Sequence, residues 1–175
     1  MKPLREVAEA YMALAEAERQ MLDGAYAEAG ESCRRAMALS RTIPYEEAFD
    51  HDGFDAFCYA SLSSAEGNLG SFEECLASAD RALYYFNRRG ELNKEDGKLW
   101  IKAVFSRAHA LDALGRCREA LGEFRKAGEM LMERKGELPG KEELRQSIEL
   151  NIARLEAALP SLTRPGYKAW WEFWS

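Results

Sequence analysis

The sequence predicts an all-α protein built from repeated pairs of helices, and three observations carry that expectation. Gly24, Gly70 and Gly115 recur at intervals of about 45 residues, within the range that helical repeats use. The residues that follow each glycine agree column by column. Within each block, small and apolar residues recur at spacings of three and four, which places them on one face of a helix.

The columns can be read directly. Two residues after the glycines stand Tyr26, Phe72 and Cys117, and four residues after them Glu28, Glu74 and Glu119. Small residues follow at Ala29, Cys75 and Ala120, then Cys33, Ala79 and Phe124. A basic column holds Arg35, Arg81 and Lys126, and a uniform one Ala36, Ala82 and Ala127, with Ser40, Phe86 and Leu131 completing the register. Small side chains at helical spacing let two helices approach closely. The segment before each glycine is helical too. It carries Leu4, Val7, Tyr11, Leu14 and Met21 in the first block, and Phe54, Cys58, Leu62, Ala65 and Leu69 in the second. In the third it carries Val104, Ala108, Leu111 and Leu114, so each block is an antiparallel helix pair. The blocks lie at about residues 4–41, 52–90 and 97–136.

The connections follow from local chemistry. Pro44 disfavours helical geometry in Ile43, so Thr42-Ile43-Pro44 ends a helix. Asp50 or Asp52 is expected to cap the next one, with acids favoured in its first turn. Asp96-Gly97-Lys98 is expected to do the same ahead of the third block. Arg88-Arg89-Gly90 supplies basic residues and a glycine stop. The length beyond a compact repeat is expected in segments 41–53 and 88–97. After Pro139-Gly140, residues 141–158 form one more amphipathic helix with Leu144, Ile148, Ile152 and Leu155 on one side. A stack of repeats leaves an apolar face at its end, and this helix is suited to cap it. Residues 1–159 are thus expected to form one domain, and 160–175 an aromatic tail.

These motifs resemble the tetratricopeptide repeat (TPR) family. The matching signature reads Gly24-Ala25-Tyr26-Ala27-Glu28-Ala29 with Ala36, Gly70-Ser71-Phe72-Glu73-Glu74-Cys75 with Ala82, and Gly115-Arg116-Cys117-Arg118-Glu119-Ala120 with Ala127. The small residue expected seven places before each glycine is Ala17, Ser63 and Ala108, and the resemblance covers about residues 4–136. It departs in its long period, in Glu16 and Arg107 where the first helices usually carry an apolar residue, and in holding repeat-end proline only as Pro44. The resemblance implies a right-handed superhelix of three antiparallel helix pairs plus a C-terminal capping helix. It also implies a concave groove, lined by the first helix of each pair, that grips a peptide or protein segment. The groove-facing residues are then expected to include Tyr11, Leu14, Phe57, Lys102, Phe105 and His109, with Glu18, Met21, Ala60, Ser64, Gly67 and Asp112 beside them. Family members that clamp a chaperone's terminal carboxylate use a set of Lys, Asn and Arg side chains. Only Lys102 has a counterpart here.

Composition excludes other classes. With 175 residues, 47% hydrophobic and 31% charged, the chain is long and apolar enough to bury a core without staples and too apolar for disorder. No apolar run approaches the ~18 residues that cross a membrane. The charged start Met-Lys-Pro-Leu-Arg-Glu does not read as a signal peptide. A net charge of −6 argues against a nucleic-acid partner. Four cysteines without a Cys-x-x-Cys pair are expected to be reduced and packed, with Cys33, Cys75 and Cys117 in buried columns of a cytoplasmic protein.

No catalytic set assembles: His51 and His109 lie in different blocks, and no Ser or Cys stands beside an oriented base. The acidic stretch around Gly53 is not a calcium loop. Counted from Asp50, the sixth position is Asp55 and the twelfth Ser61, where glycine and glutamate are needed. No metal, cofactor or enzymatic activity is therefore expected.

The tail is the feature that repeats do not require. Tyr167, Trp170, Trp171, Phe173 and Trp174 are large aromatic anchors of the kind found at interfaces. They suit packing back on the capping helix, docking on a neighbouring molecule to form a homo-oligomer, or contact with a separate protein; Glu172 and a single Lys make a poor membrane anchor. The expected function is a non-enzymatic interaction module that binds an apolar segment in its groove. The alternative is a scaffold that self-assembles through this tail.

Overall fold

A computed structural model describes residues 4–89, 94–134, 138 and 140–159. Its helices are α1 (Leu4–Leu22), α2 (Tyr26–Ser40), α3 (His51–Asn68), α4 (Phe72–Arg89), α5 (Lys94–Ala113), α6 (Cys117–Glu133) and α7 (Lys141–Ala158). No strand occurs among the described residues. Helices α1 and α2, α3 and α4, and α5 and α6 pack as pairs, α2 on α3 and α4 on α5 join the pairs, and α7 lies on α6. The first helices of successive pairs also touch, α1 to α3 and α3 to α5.

The turn inside each pair is the same three times over. Gly24, Gly70 and Gly115 have φ of +76°, +78° and +77°. The amide after each glycine reaches back five residues, Ala25 N to Gln20 O at 2.8 Å, Ser71 N to Glu66 O at 2.9 Å and Arg116 N to Leu111 O at 2.8 Å. The glycine amide closes a second bond three residues back, as in Gly70 N to Gly67 O at 3.2 Å. This double closure satisfies carbonyls that a helix end otherwise leaves bare, and its left-handed residue is glycine because a Cβ there is strained.

Close packing of small side chains holds the pairs. Ala29, Cys75 and Ala120 are fully buried, as are Ala36, Ala82 and Ala127 and the first-helix residues Ala17, Ser63 and Ala108. Three apolar clusters result among the described residues. One gathers Ala10, Ala13, Ala17, Cys33 and Ala36 around Phe54, Cys58 and Leu62. The largest centres on Phe86 with Ile101, Val104, Leu131 and Ile148. The third joins Leu111, Leu121 and Phe124 to Leu155. Ile148 and Leu155 both belong to α7, so the last helix closes two clusters at once. Removing a buried Phe such as Phe86 costs about 3–5 kcal/mol in comparable cores.

Between α2 and α3, Ile43 is buried as an anchor while Pro44 and Tyr45 are exposed. Asp50 caps α3, accepting from the Gly53 amide at 2.9 Å. A Cβ at Gly53 would lie 2.6 Å from Asp50 Oδ2 and 2.6 Å from the Tyr85 hydroxyl, so glycine here permits a close approach of cap and neighbouring helix.

Three expectations need correction. Helix α5 begins at Lys94, so Asp96-Gly97-Lys98 lies inside its opening turns and does not precede it. Part of the extra repeat length therefore resides in long helices, 18 residues in α4 and 20 in α5, and not in a connection at 88–97. Cys117 is only half-buried, because its column, shared with Tyr26 and Phe72, sits at the rim where the second helix starts; Cys58 is the third fully buried thiol with Cys33 and Cys75.

Gly70→Ala should cost about 1 kcal/mol in urea unfolding, and Gly70→Asn less. No atom lies within 4 Å of the added Cβ, so strain in the backbone is the whole effect. Burial pushes the Cys33 and Cys75 thiols up to about 12 and raises Cys58 as well. In the native protein a thiol reagent at pH 8 should therefore label Cys117 within minutes, and the other three only after denaturation.

Candidate functional site

Successive first helices touch, so the side chains they share on one flank form a continuous strip. Tyr11 on α1 is 48% exposed and sits edge-on to Phe54, with ring centres 5.0 Å apart. Phe57 on α3 is half-buried and stacks on Phe86 at 6.2 Å. On α5, Phe105 and His109 meet edge-to-face at 4.6 Å, and both pack against Phe124. Lys102, Phe105 and His109 are each half-buried, as are Glu18 and Ser64.

Leu14 differs from its expected place: it is buried, packed with Ala10, Cys33, Phe54 and Leu62. It lies three residues from Tyr11, and that turn of α1 presses on α3. Phe57 and Phe105 also do more than line a surface. Phe57 packs against both the first and the largest cluster, and Phe105 against the largest and the third, so each bridges a seam between neighbouring repeats.

Electrostatics in the strip centre on Lys102. Burial lowers its ammonium below the ordinary lysine range, Glu18 on α1 opposes that shift, and Lys98 reinforces it. Lys102 makes no ion pair with a described residue. His109 is likewise lowered, chiefly by burial, with Asp112 pulling the other way and Arg154 adding to the shift. Arg154 of α7 is itself bonded to Asp112 of α5, which ties the last helix to the end of the strip.

A second feature escaped the sequence reading. Between the start of α3 and the end of α4 lies a cleft of about 640 Å³. Three arginines of α4 or its end stack on tyrosines: Arg81 over Tyr59 at 5.1 Å, Arg88 over Tyr84 at 5.1 Å and Arg89 over Tyr85 at 5.6 Å. Its signal in the sequence is the spacing of Arg81, Tyr84, Tyr85 and Arg88, which repeats at three and four on one face of α4. The repeat columns masked it, since Arg81 alone of the four had a place in them.

The predicted tail contacts, Tyr167, Trp170, Trp171, Phe173 and Trp174, lie outside the described residues. Among the described residues no group of three or more His, Cys, Asp or Glu side chains could hold a metal ion, and no helix is long and apolar enough to cross a membrane.

A depressed lysine places a linkage penalty on folding: below its folded pKa the charged form is buried at a cost, and that cost fades as pH rises toward the unfolded value near 10.4. Lys102→Met should accordingly raise the melting temperature by a few degrees at pH 7, with the advantage shrinking toward pH 10. A pH-independent difference in calorimetry would contradict this account.

Comparison with known proteins agrees with this architecture. The family described as Domain of Unknown Function (DUF3856) matches residues 2–144. Among solved structures, a TPR-like protein from Chlorobium tepidum TLS is 61% identical, with a TM-score of 0.84, and the match covers 89% of this chain and 99% of that one. No curated protein matches. A TPR-like fold is a helical-repeat fold of protein-interaction modules. The chain belongs to the DUF3856 family, and its all-α architecture is TPR-like.

Proposed function

We propose that the protein is a non-enzymatic interaction module that binds an apolar peptide or protein segment along the strip formed by α1, α3 and α5. The observation that carries this reading is the row of aromatic groups across three stacked first helices: Tyr11, half exposed, then Phe57 and Phe105, half-buried with His109 beside them. Phe57 and Phe105 are fixed from behind by the core, so their exposed parts are offered to a ligand with little rotamer freedom left to lose. Half-buried aromatics held in place are the anchors that dominate most protein interfaces. Lys102 would orient the ligand, because a partly desolvated amine that has no ion-pair partner among the described residues gains more from an acceptor than a hydrated one does.

On this reading residues 1–159 act as one binding unit. Because Phe57 and Phe105 also seal repeat seams, substitutions there mix binding with stability. Tyr11 and His109 make the cleaner probes.

In affinity capture followed by mass spectrometry, the double variant Tyr11→Ala, His109→Ala should lose its main partner by tenfold or more. That loss corresponds to about 1.4 kcal/mol or greater, within the range of interface hot spots. Leu150→Ala, exposed on the far side of α7, should capture as the unchanged protein does. Equal recovery by the double variant, with its helix content intact, would refute the reading.

A further inference from the structure

We propose that the cleft between α3 and α4 is a docking site for an acidic peptide segment, separate from the strip on the first helices and independent of what that strip binds. The two sites lie on different faces of α3. At 100° per residue, Asp52, Asp55, Ala56 and Tyr59 lie on average about 140° around the helix from Phe57 and Ser64.

Four aspartates and three arginines border the cleft, and they do not all pair with one another. Asp80 is bonded to Arg107 at 2.7 Å, and Arg107 also holds Glu123 at 2.9 Å. Asp55 faces Ser40 at 3.4 Å and Arg41 at 3.9 Å, on the side of α2. Asp50 accepts from the Gly53 amide and from the Tyr85 hydroxyl at 2.7 Å, with Arg89 at 4.0 Å. Burial alone would raise that carboxyl, yet these donors hold it below the usual range, so it stays charged and occupied. Asp52 stands in the first turn of α3, where the helix dipole favours a negative charge. Three of the four acids are thus spoken for.

Arg81 and Arg88 are not matched in this way. The Arg81 guanidinium donates to the Tyr59 hydroxyl at 2.6 Å and that of Arg88 to the Tyr84 hydroxyl at 3.2 Å. Neither has a described carboxylate within 4.0 Å, and both side chains are exposed. Each guanidinium lies 5.1 Å from the centre of a tyrosine ring and is tied to that ring's hydroxyl, which restricts the side chain and leaves other N–H groups for a ligand. A guanidinium oriented in advance is suited to two-pronged bonding to a carboxylate. Four aspartates and three arginines line the cleft, so what it offers an acidic ligand is not a net charge but two guanidinium groups on one helix face that no described carboxylate engages.

Their spacing selects the ligand. Seven residues along a helix separate Arg81 from Arg88 by about 10 Å, too far for one small anion to bridge. Two acidic residues three apart in an extended or polyproline II segment span about the same distance, and in the polyproline form they share a face. Tyr84, 68% exposed, and Ala56 supply an apolar floor between them.

The test uses the full chain and a fluorescent peptide of four Glu-Pro-Pro repeats in fluorescence anisotropy at low salt. Saturable binding is expected, weakened tenfold or more by Arg81→Gln with Arg88→Gln, reduced by added salt, unaffected by Lys102→Met and absent for the matching Lys-Pro-Pro peptide. Circular dichroism verifies that the variants fold, and single substitutions stand in should the double one not. The proposal is overturned if the arginine variants bind the peptide as well as the unchanged protein, or if Lys102→Met removes binding. It is equally overturned if inorganic phosphate or a short oligonucleotide displaces the probe at comparable concentration. A dimer in sedimentation that the arginine substitutions dissolve, with no peptide bound, assigns the cleft to a second copy of the chain and also overturns it.

Discussion

The close approach of two helices across a column of small side chains is the constraint on which the rest of this molecule depends. Ala29, Cys75 and Ala120, then Ala36, Ala82 and Ala127, are all fully buried because a larger side chain at any of them would push the paired helices apart. The approach is possible only if the chain reverses sharply, which is the work of Gly24, Gly70 and Gly115 at positive φ. Turn and column are therefore one device: the glycine sets the angle at which the second helix returns, and the small residues let it settle. Once three such pairs exist, each has an apolar flank that is satisfied only by the next. Helix α7 lays Ile148 and Leu155 over two of these clusters.

Stacking has a consequence for binding that the individual helices do not contain. Aromatic residues at the flank of the first helices serve two masters, since Phe57 and Phe105 join adjacent clusters from one side and face outward from the other. The same packing removes Leu14 from the surface and desolvates Lys102 and His109.

Charge is distributed by a comparable logic. Surface ion pairs such as Arg19 with Glu16 and Arg145 with Glu142 join residues one turn apart within a helix and contribute little to the fold. Those that cross between helices, Arg107 with Asp80 and Glu123 and Arg125 with Glu156, draw acids toward particular seams. By engaging Asp80 from α5, Arg107 takes from the α3–α4 cleft an acid that Arg81, its neighbour in the chain, could otherwise have met. Specific pairing in one seam thus leaves arginines without a described acidic partner in the next.

Much of this was legible in the linear chain because it is local. Helix periodicity, the glycine turns and the alanine columns each depend on residues within a few positions of one another and appear in the structure where the pattern put them, and of the two candidate caps, Asp50 and Asp52, the structure selects Asp50. The start of α5 was misjudged for the same local reason, since Asp96-Gly97 resembles a cap and only the full helix overrides it. What the sequence alone determined is the all-α repeat of paired helices, its TPR-like class and the small-residue faces that pack it. What only the tertiary structure decided is which flank residues sink and which stay open, as with Leu14 and Tyr11, and which charges find partners across helices, as with Asp80 and Arg81. Exposure and pairing depend on helices brought together from distant parts of the chain, and no spacing along a single helix encodes that distance.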